Sequence, residues 1–305
     1  MTGEGRPLVA SAEDGQVTRT VRDILRPDLL PPRAAVTRPV SELLDLRGKR
    51  AAVTGGAGAN LGQAIVGRLA GLGASVAVLH RGRSAAAAAR VASEAAQRWG
   101  VDVVPIEADV ADWDAAHEAA HRVAERLGGL DIWINSAGSG ADGGAPATYF
   151  AEYTQRNVDA TITGYLTPTL YGTHAALDVM LPRRQGRIIN IASTAGLTPY
   201  KRHAVYGAVK AAIVSFTESV AAEIGPEGVT IAGVAPGTMV AERFLERGAD
   251  LDADGELGRL FAEAWSRTSI GRFSHPEEVA NTVAFLASEA GAYIHGTTVR
   301  VAGGQ

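Results

Sequence analysis

Short apolar runs alternate with longer segments of helical periodicity from about residue 49 onwards. The runs are RAAVT (50–54), SVAVLH (75–80), VDVVPI (101–106), DIWIN (131–135), RIINIA (187–192), VTIAGVA (229–235) and TTVRVA (297–302). Strands that are apolar on both faces and joined by helices are typical of parallel sheets. The pattern therefore predicts a single α/β domain, residues 47–305, with a doubly wound parallel sheet of about seven strands. Ligands of such sheets bind outside the carboxyl ends of the strands.

Two segments depart from this alternation. Within residues 1–46, helical spacing of apolar residues over 17–25 ends at Pro27, and further prolines then favour extended chain. We interpret residues 1–46 as an N-terminal arm, either loosely ordered or packed on a neighbouring subunit or over the site. The charged, glycine-interrupted segment 242–265 predicts either a helical lid over the pocket or a solvated surface excursion.

Composition narrows the classes of function. The formal net charge is −4 with both signs interspersed, which favours a small-molecule ligand over nucleic acid or an anionic membrane. The chain has no cysteine, which excludes disulfides, thiolate metal sites and a cysteine nucleophile. No apolar run approaches the roughly 18 residues of a membrane-spanning helix, and no signal core is present, so we expect a cytoplasmic protein.

The stretch TGGAGANLG (54–62) lies between the first apolar run and an apolar helical segment. This is the position of the phosphate-binding loop in a Rossmann-type dinucleotide fold, where glycines let the backbone approach the pyrophosphate at a helix start. The alternative is a structural strand-to-helix turn. The candidate phosphate-binding residues are Gly55, Gly58, Asn60, Leu61 and Gly62.

The second apolar run ends in LHRGRS, where a dinucleotide fold places the residues that contact the adenosine ribose. His80, Arg81 and Arg83 supply no acid for an NAD ribose and two guanidinium groups that suit a 2′-phosphate. The sequence therefore favours NADP(H) over NAD(H) as cofactor, unless the arginines are merely solvated.

The segment around residues 190–213 carries the strongest chemical signal. Ser193 follows the fifth run, and Tyr206 and Lys210 are spaced i, i+4 on one face of a predicted helix. A neighbouring positive charge is expected to lower the pKa of a tyrosine, and a serine hydroxyl can steady a carbonyl oxygen. Alone, this spacing is also that of an exposed helix pair.

Seen together, these motifs resemble those of the short-chain dehydrogenase/reductase (SDR) family over residues 48–304. The shared motifs are TG with later glycines (54–62), ADV (108–110), NSAG (135–138), an asparagine in QRNVDAT (155–161), Ser193, YGAVK (206–210), APG (235–237) and a final strand ending AGG. The glycine loop departs from the family pattern, because Gly55 and Gly62 are one residue further apart and Asn60 replaces the middle glycine. The added residue is expected to bulge outward.

The resemblance implies roles for four catalytic residues. Tyr206 would exchange the proton of the carbonyl or alcohol oxygen, and Lys210 would lower its pKa and hold the nicotinamide ribose. Ser193 would orient the substrate oxygen, and Asn157 would anchor a water in the proton relay. The alternative for Asn157 is a buried helix asparagine. The resemblance also suggests a homotetramer or homodimer.

A second set of residues is implied to line the cofactor. Asp109 would contact adenine, or else be only a turn residue before the next helix. Thr238 would substitute for the threonine that the family often has at the position of Ala241. The set comprises Asp109, Val110, Asn135, Ala137, Gly138, Tyr206, Lys210, Pro236, Gly237 and Thr238.

The stretch HEAAH (117–121) matches the H-E-x-x-H pattern of zinc enzymes. It lies in a predicted crossover helix, with Trp113 and Leu127 on its core stripe, and the third histidine of the longer pattern would fall at Leu127. We therefore expect no metal.

The predicted function is NADP-dependent interconversion of a ketone and a secondary alcohol by hydride transfer, acting as a ketoreductase. One alternative is an NAD-dependent alcohol or polyol dehydrogenase. Another is a cofactor-independent lyase or a binding module on the same fold, which the irregular glycine loop keeps open.

Overall fold

Seven parallel strands form the central sheet, in the order β3-β2-β1-β4-β5-β6-β7. The computed structural model describes residues 31–138, 146–240 and 256–305. The strands are β1 (Arg50–Thr54), β2 (Ser75–His80), β3 (Val103–Glu107), β4 (Ile132–Asn135), β5 (Gly186–Ile191), β6 (Val229–Pro236) and β7 (Thr298–Val301). The strand order runs outward in both directions from β1 and β4, which creates a topological switch point between them. The predicted doubly wound, Rossmann-type fold is confirmed.

Helices connect the strands as right-handed crossovers require. Their bounds are α1 (Arg33–Val36), α2 (Val40–Leu43), α3 (Leu61–Gly71), α4 (Ala85–Trp99), α5 (Trp113–Leu127), α6 (Gln155–Thr161), α7 (Thr167–Met180), α8 (Ala204–Ile224), α9 (Glu256–Ser266) and α10 (Pro276–Ala287). A π-helical turn, Ile162–Leu166, joins α6 to α7.

Two large apolar clusters, one on each face of the sheet, form most of the core of the described residues. One cluster includes Ile65 of α3 and Val279 of α10, and the other includes Val123 of α5. Trp133 of β4 is fully buried in the second cluster. Trp113 was expected on the core stripe of α5, but 45% of it is exposed, because it lies at the first turn and packs against neighbouring aromatic rings.

Helix α8 lies in a long apolar stretch of the chain. Within the described residues, Ala204–Glu227 is the one stretch that passes a test of length and composition for membrane spanning, with a mean hydropathy of 1.2. The expectation that no run approaches this length is therefore wrong here. One face of the helix packs on the sheet, where Val220 and Ile224 share a buried cluster with Ile188 and Ile231, and 33% of the tested window is buried.

The chain divides into a unit that ends at Pro39 and a second unit, Val40–Gln305. Helix α1 belongs to the first unit and α2 begins the second. The apolar pattern at residues 17–25 lies outside the described residues, so the interpretation of residues 1–46 as an arm stays a prediction. Most of the predicted lid also lies outside them, and its described end forms α9.

Candidate functional site

A cavity of about 550 Å³ lies at the carboxyl ends of the strands. The segments that follow β1 through β6 all contribute to its wall. All but three of the predicted site residues line it: Gly55, Gly58, Asn60, Leu61, Gly62, His80, Arg81, Arg83, Asp109, Val110, Ala137, Gly138, Ser193, Tyr206, Lys210, Pro236 and Gly237. Residues far apart in the sequence therefore meet at the edge where a parallel sheet binds ligands.

The glycine loop folds back on the start of α3. Gly55 has φ +66°, and a Cβ at this position would lie 2.9 Å from Cα of Ala137. A Cβ on Gly62 would overlap the carbonyl oxygen of Gly55, so glycine is needed for the helix to start this close to the loop. The side chain of Asn60 does not cap α3, and its buried Oδ1 has no hydrogen-bond partner.

This uncapped helix start suits an anion. The first N–H groups of a helix have no partner within the helix, and the helix dipole favours negative charge there. Ala59, Asn60 and Leu61 all line the cavity at this point. The loop, although longer than the family pattern, therefore leaves the start of α3 facing the cavity.

Thr54 fixes the junction between β1 and β4. Its Oγ1 accepts hydrogen bonds from the backbone N–H groups of Ser136 (3.0 Å) and Ala137 (2.9 Å), and donates to the carbonyl of Ile134 (3.2 Å). The backbone of the NSAG segment is thereby held against the cavity wall. The Ser136 side chain is not needed for this contact.

Asn135 does not reach the cavity, contrary to the prediction that it lines the cofactor. Its Nδ2 donates to Thr173 Oγ1 and Asn190 Oδ1, each at 2.8 Å, and its Oδ1 accepts from the indole of Trp133 at 2.7 Å. A buried amide needs such partners. Asn135 therefore has a structural role, since its hydrogen bonds link β4 to β5 and α7.

The end of β2 presents basic residues to the cavity. Burial lowers the pKa of the His80 imidazole, against the opposing charge of Glu107, and His80 Nδ1 lies 3.1 Å from the carbonyl of Arg81. Arg81 and Arg83 line the cavity wall. Asp109 lines the cavity too, and its Oδ1 also accepts from the N–H of Ala111 at 3.1 Å, so it is a turn residue as well.

The predicted catalytic group is assembled where β5 ends and α8 begins. Ser193 Oγ accepts from the N–H of Ala195 at 3.2 Å, and Ser193 and Tyr206 both line the cavity. Lys210 is buried one helical turn beyond Tyr206, and its Nζ donates to the carbonyl of Ile191 at 2.8 Å. Ser193, Tyr206 and Lys210 therefore share one wall of the cavity.

The expected lowering of the Tyr206 pKa by Lys210 is not found. Burial, with a further contribution from Tyr165, raises the pKa of Tyr206 to about 12, against the opposing hydrogen bond from Ser193. Burial also lowers the pKa of Lys210 to about 7. The reason is desolvation, which disfavours the charged form of both groups. In addition, the Lys210 Nζ binds the main chain and lies 5.8 Å from the centroid of the Tyr206 ring.

Asn157 is not brought to the cavity. It occupies the third position of α6, where its Oδ1 accepts from the N–H (3.0 Å) and the hydroxyl (2.8 Å) of Thr154 in a capping box. The residue that faces the catalytic group is instead Tyr165, in the π-helical turn. Its ring centroid lies 5.2 Å from that of Tyr206 and 5.3 Å from Lys210 Nζ. Sequence reasoning missed Tyr165.

Thr238 is also directed away from the cavity. Its N–H and hydroxyl both donate to Gln305 Oε1, at 2.9 and 3.3 Å, and it lines a separate cavity of about 180 Å³. Gln305 is held there because its Nε2 donates to Thr268 Oγ1 at 2.7 Å. Met239 follows Pro236 and Gly237 in the main cavity wall instead.

Comparison with known proteins agrees with this architecture. A family model described as short chain dehydrogenase matches residues 49–251. The 3-oxoacyl-acyl-carrier-protein reductase FabG of Aquifex aeolicus is 33% identical over 261 residues, which cover 86% of this chain and 98% of that protein. Cyclohexanol dehydrogenase of Rhodococcus sp. is 32% identical over 277 residues, covering 87% and 98%.

A solved structure gives the same result. It is that of a short chain dehydrogenase from Burkholderia cenocepacia in complex with NADP, which aligns with a TM-score of 0.72 at 33% identity and covers 85% of this chain and 98% of its own. Sequence motifs, strand order and matched length thus agree, and the chain belongs to the short-chain dehydrogenase/reductase family of oxidoreductases.

Proposed function

We propose that this chain is an NADP-dependent oxidoreductase that interconverts a ketone and a secondary alcohol, acting as a ketoreductase. The observation that carries the proposal is a single cavity lined both by residues that can exchange a proton with the substrate and by residues that can bind the cofactor. Ser193, Tyr206 and Lys210 line one part of its wall, and Arg81 and Arg83 line another. The first group suits an oxygen that gains a proton, and the second suits an extra phosphate.

The residues present fit a nicotinamide dinucleotide. The start of α3 and its glycine loop would hold the pyrophosphate, and the Arg81 and Arg83 guanidinium groups would bind a 2′-phosphate. Asp109 and Val110 would contact the adenine, and Gly237 would border the nicotinamide. When bound, this cofactor supplies the hydride.

The side chains of this chain would handle the oxygen and its proton. Ser193 Oγ would hold the carbonyl oxygen of the substrate, while Tyr206 donates its proton to that oxygen. With a pKa of about 12, Tyr206 is protonated at neutral pH and ready to donate. Lys210 lies one helical turn beyond Tyr206, with its Nζ on the carbonyl of Ile191, and would hold the nicotinamide ribose.

The relatives include both reductases and an alcohol dehydrogenase. Those named as 3-oxoacyl-acyl-carrier-protein reductases act as reductases, whereas the cyclohexanol dehydrogenase favours the alternative of an alcohol dehydrogenase. The presence of Ser193, Tyr206 and Lys210 in one cavity argues against a purely binding role. The NSAG and APG segments, which also contribute to the cavity wall, argue against a cofactor-independent lyase. A cytoplasmic location and assembly as a homotetramer or homodimer stay predictions.

The decisive experiment is a calorimetric titration of the purified protein with NADPH and, separately, with NADH. We expect tighter binding of NADPH, and we expect Arg81→Ala to weaken NADPH binding at least ten-fold while changing NADH binding little. Arg90→Ala is the matched control, since Arg90 pairs with Glu94 on the exposed face of α4. Equal losses for both cofactors would remove the preference for NADP, and failure of both to bind would remove the oxidoreductase assignment for this cavity.

A further inference from the structure

Helices α5 and α7 bring together three side chains that can bind a metal ion. His117 of α5 and His174 and Asp178 of α7 each offer one ligand atom, and these atoms all lie within 4.8 Å of one another. His117 Nε2 is 2.8 Å from His174 Nδ1 and 3.3 Å from Asp178 Oδ2. His174 Nδ1 is 3.8 Å from Asp178 Oδ1. No residue of this group lines the catalytic cavity.

The hydrogen bonds of His117 leave one of its nitrogens available as a ligand. Its Nδ1 lies 2.7 Å from the carbonyl oxygen of Trp113, which can only accept, so Nδ1 carries the proton. Nε2 of the neutral ring therefore presents its lone pair to His174 and Asp178. Histidine ligands of metal ions are commonly oriented in this way, by an N–H of the other nitrogen that donates to a carbonyl.

Aromatic packing holds the two imidazoles in place. The ring of Trp113 lies 4.5 Å from that of His117 and 4.6 Å from that of His174, between centroids. The ring of Tyr171 also contacts Trp113, edge-on, with centroids 5.2 Å apart. This arrangement explains why Trp113 stays outside the core: it packs on the two histidines. A site whose ligands are already oriented loses less entropy on binding.

We propose that His117, His174 and Asp178 form a binding site for a divalent transition-metal ion of the zinc class. Two imidazole nitrogens and one carboxylate oxygen suit Zn²⁺, with water completing a tetrahedron. Two nitrogens at about 2.0–2.1 Å from a tetrahedral zinc lie about 3.3 Å apart, so the histidines must separate by about half an ångström. His174 can make this movement, because 54% of its side chain is exposed. In binding, the ion displaces the proton that His174 Nδ1 donates to His117 Nε2. This proton passes to solvent and His174 takes one up at Nε2, so both rings bind the ion as neutral imidazoles.

The site differs from the one that HEAAH suggested. The second histidine of that motif, His121, is not one of the three grouped ligands, and the partners of His117 come from α7 and not from α5. The ion would cross-link α5 to α7, whose ligands His117 and His174 are 57 residues apart in the chain. The expected effect is therefore on stability rather than on turnover.

Thermal unfolding with and without Zn²⁺ at pH 7.5 tests the proposal, alongside the visible absorption of bound Co²⁺. At a hundred-fold excess over the Kd, Zn²⁺ should raise the Tm of the full chain by about 5 °C. Co²⁺ should bind with one equivalent and give the intense absorption of a tetrahedral site. The matched control is His121→Ala, which removes a histidine from the same helix and should leave both responses unchanged.

His174→Ala should abolish both responses, and Asp178→Asn, which keeps the shape of the side chain, should weaken them at least ten-fold in Kd. Asp178→Asn also serves if His174→Ala fails to fold. The proposal would be overturned if Zn²⁺ left the Tm of wild type unchanged. It would also be overturned if both site variants kept the wild-type responses to Zn²⁺ and Co²⁺, or if His121→Ala lost them.

Discussion

The ring of Tyr165 meets the ring of Tyr206 edge-on, with centroids 5.2 Å apart and planes inclined by 81°. Tyr165 also lies under the amine of Lys210, whose Nζ is 5.3 Å from its centroid. The proton donor proposed for the reaction, Tyr206, therefore has both an amine and a second phenol as neighbours. Tyr165 is placed there by the π-helical turn, an irregularity that often occurs at functional sites.

Replacing Tyr165 by phenylalanine should shift the pH dependence of the reaction. The Tyr165 phenol raises the pKa of Tyr206, so its removal lowers that pKa. Alcohol oxidation needs the phenolate as base, and its rate should therefore rise at a lower pH in Tyr165→Phe. Ketone reduction at pH 7 should fall less than about ten-fold, because the proton donor remains.

The measurement is the pH profile of kcat for oxidation, with Tyr171→Phe as control, since Tyr171 contacts Trp113 and not the cavity. A profile that is unmoved, or that moves to higher pH, would show that Tyr165 does not act on Tyr206.

Replacing Tyr206 by phenylalanine should remove turnover while sparing the cofactor. The ring would remain packed against Tyr165, but the hydroxyl that donates the proton would be lost. General acid catalysis contributes about 10²–10⁴-fold, and kcat should fall by that factor. The NADPH Kd measured by calorimetry should change less than about three-fold. Activity within ten-fold of wild type would remove Tyr206 as the proton donor.

The sequence predicted the sheet and most of the site because both follow from regular patterns. Apolar strands place Ser193, Arg81 and the glycine loop at one edge of the sheet whatever the details of packing. Likewise, i, i+4 spacing places Tyr206 and Lys210 on one face of α8.

The predictions that proved wrong concern side chains whose orientation depends on contacts that the sequence pattern does not show. Asn157 Oδ1 accepts from Thr154 in the capping box of α6, and Asn157 is not among the residues that line the cavity. Tyr165 turns inward only because the helix forms a π turn; Gly164 and Pro168 mark an irregular helix but not the side chain that it redirects. Thr238 is directed by Gln305, whose position depends on tertiary packing near the chain end.

The stability of the free protein should depend on pH through Lys210. Its folded pKa of about 7 lies below the usual 10.5, so the unfolded chain binds more protons between these values. Stability must then rise with pH across this window. Relative to Lys210→Met, wild type should gain about 3 kcal/mol between pH 6.5 and 9.5, at about 1.4 kcal/mol per pKa unit.

Urea unfolding of both proteins at several pH values gives this difference directly, and any constant effect of the substitution cancels. If the free energy of unfolding changes with pH in parallel for wild type and Lys210→Met, Lys210 keeps an ordinary pKa in the folded protein.

Two glycines of α3 offer a matched test of the phosphate loop. A Cβ on Gly62 would overlap the carbonyl oxygen of Gly55, whereas a Cβ on Gly67 would meet no atom within 4 Å. Gly62→Ala should therefore move the start of α3 away from the loop, cost about 1–3 kcal/mol of stability and weaken NADPH binding at least ten-fold. Gly67→Ala should leave binding unchanged and stabilise the protein by about 0.5–1 kcal/mol, because alanine is the better helix former.

Calorimetry with NADPH and urea unfolding of both variants separate the two effects. The urea unfolding curve gives the folded fraction of Gly62→Ala in the absence of urea. If the variant is fully folded there, a higher Kd for NADPH reports a change in the loop and not partial unfolding. If Gly62→Ala binds NADPH as wild type does, the pyrophosphate does not depend on the close approach of Gly55 and α3, and the longer loop holds the cofactor by other contacts.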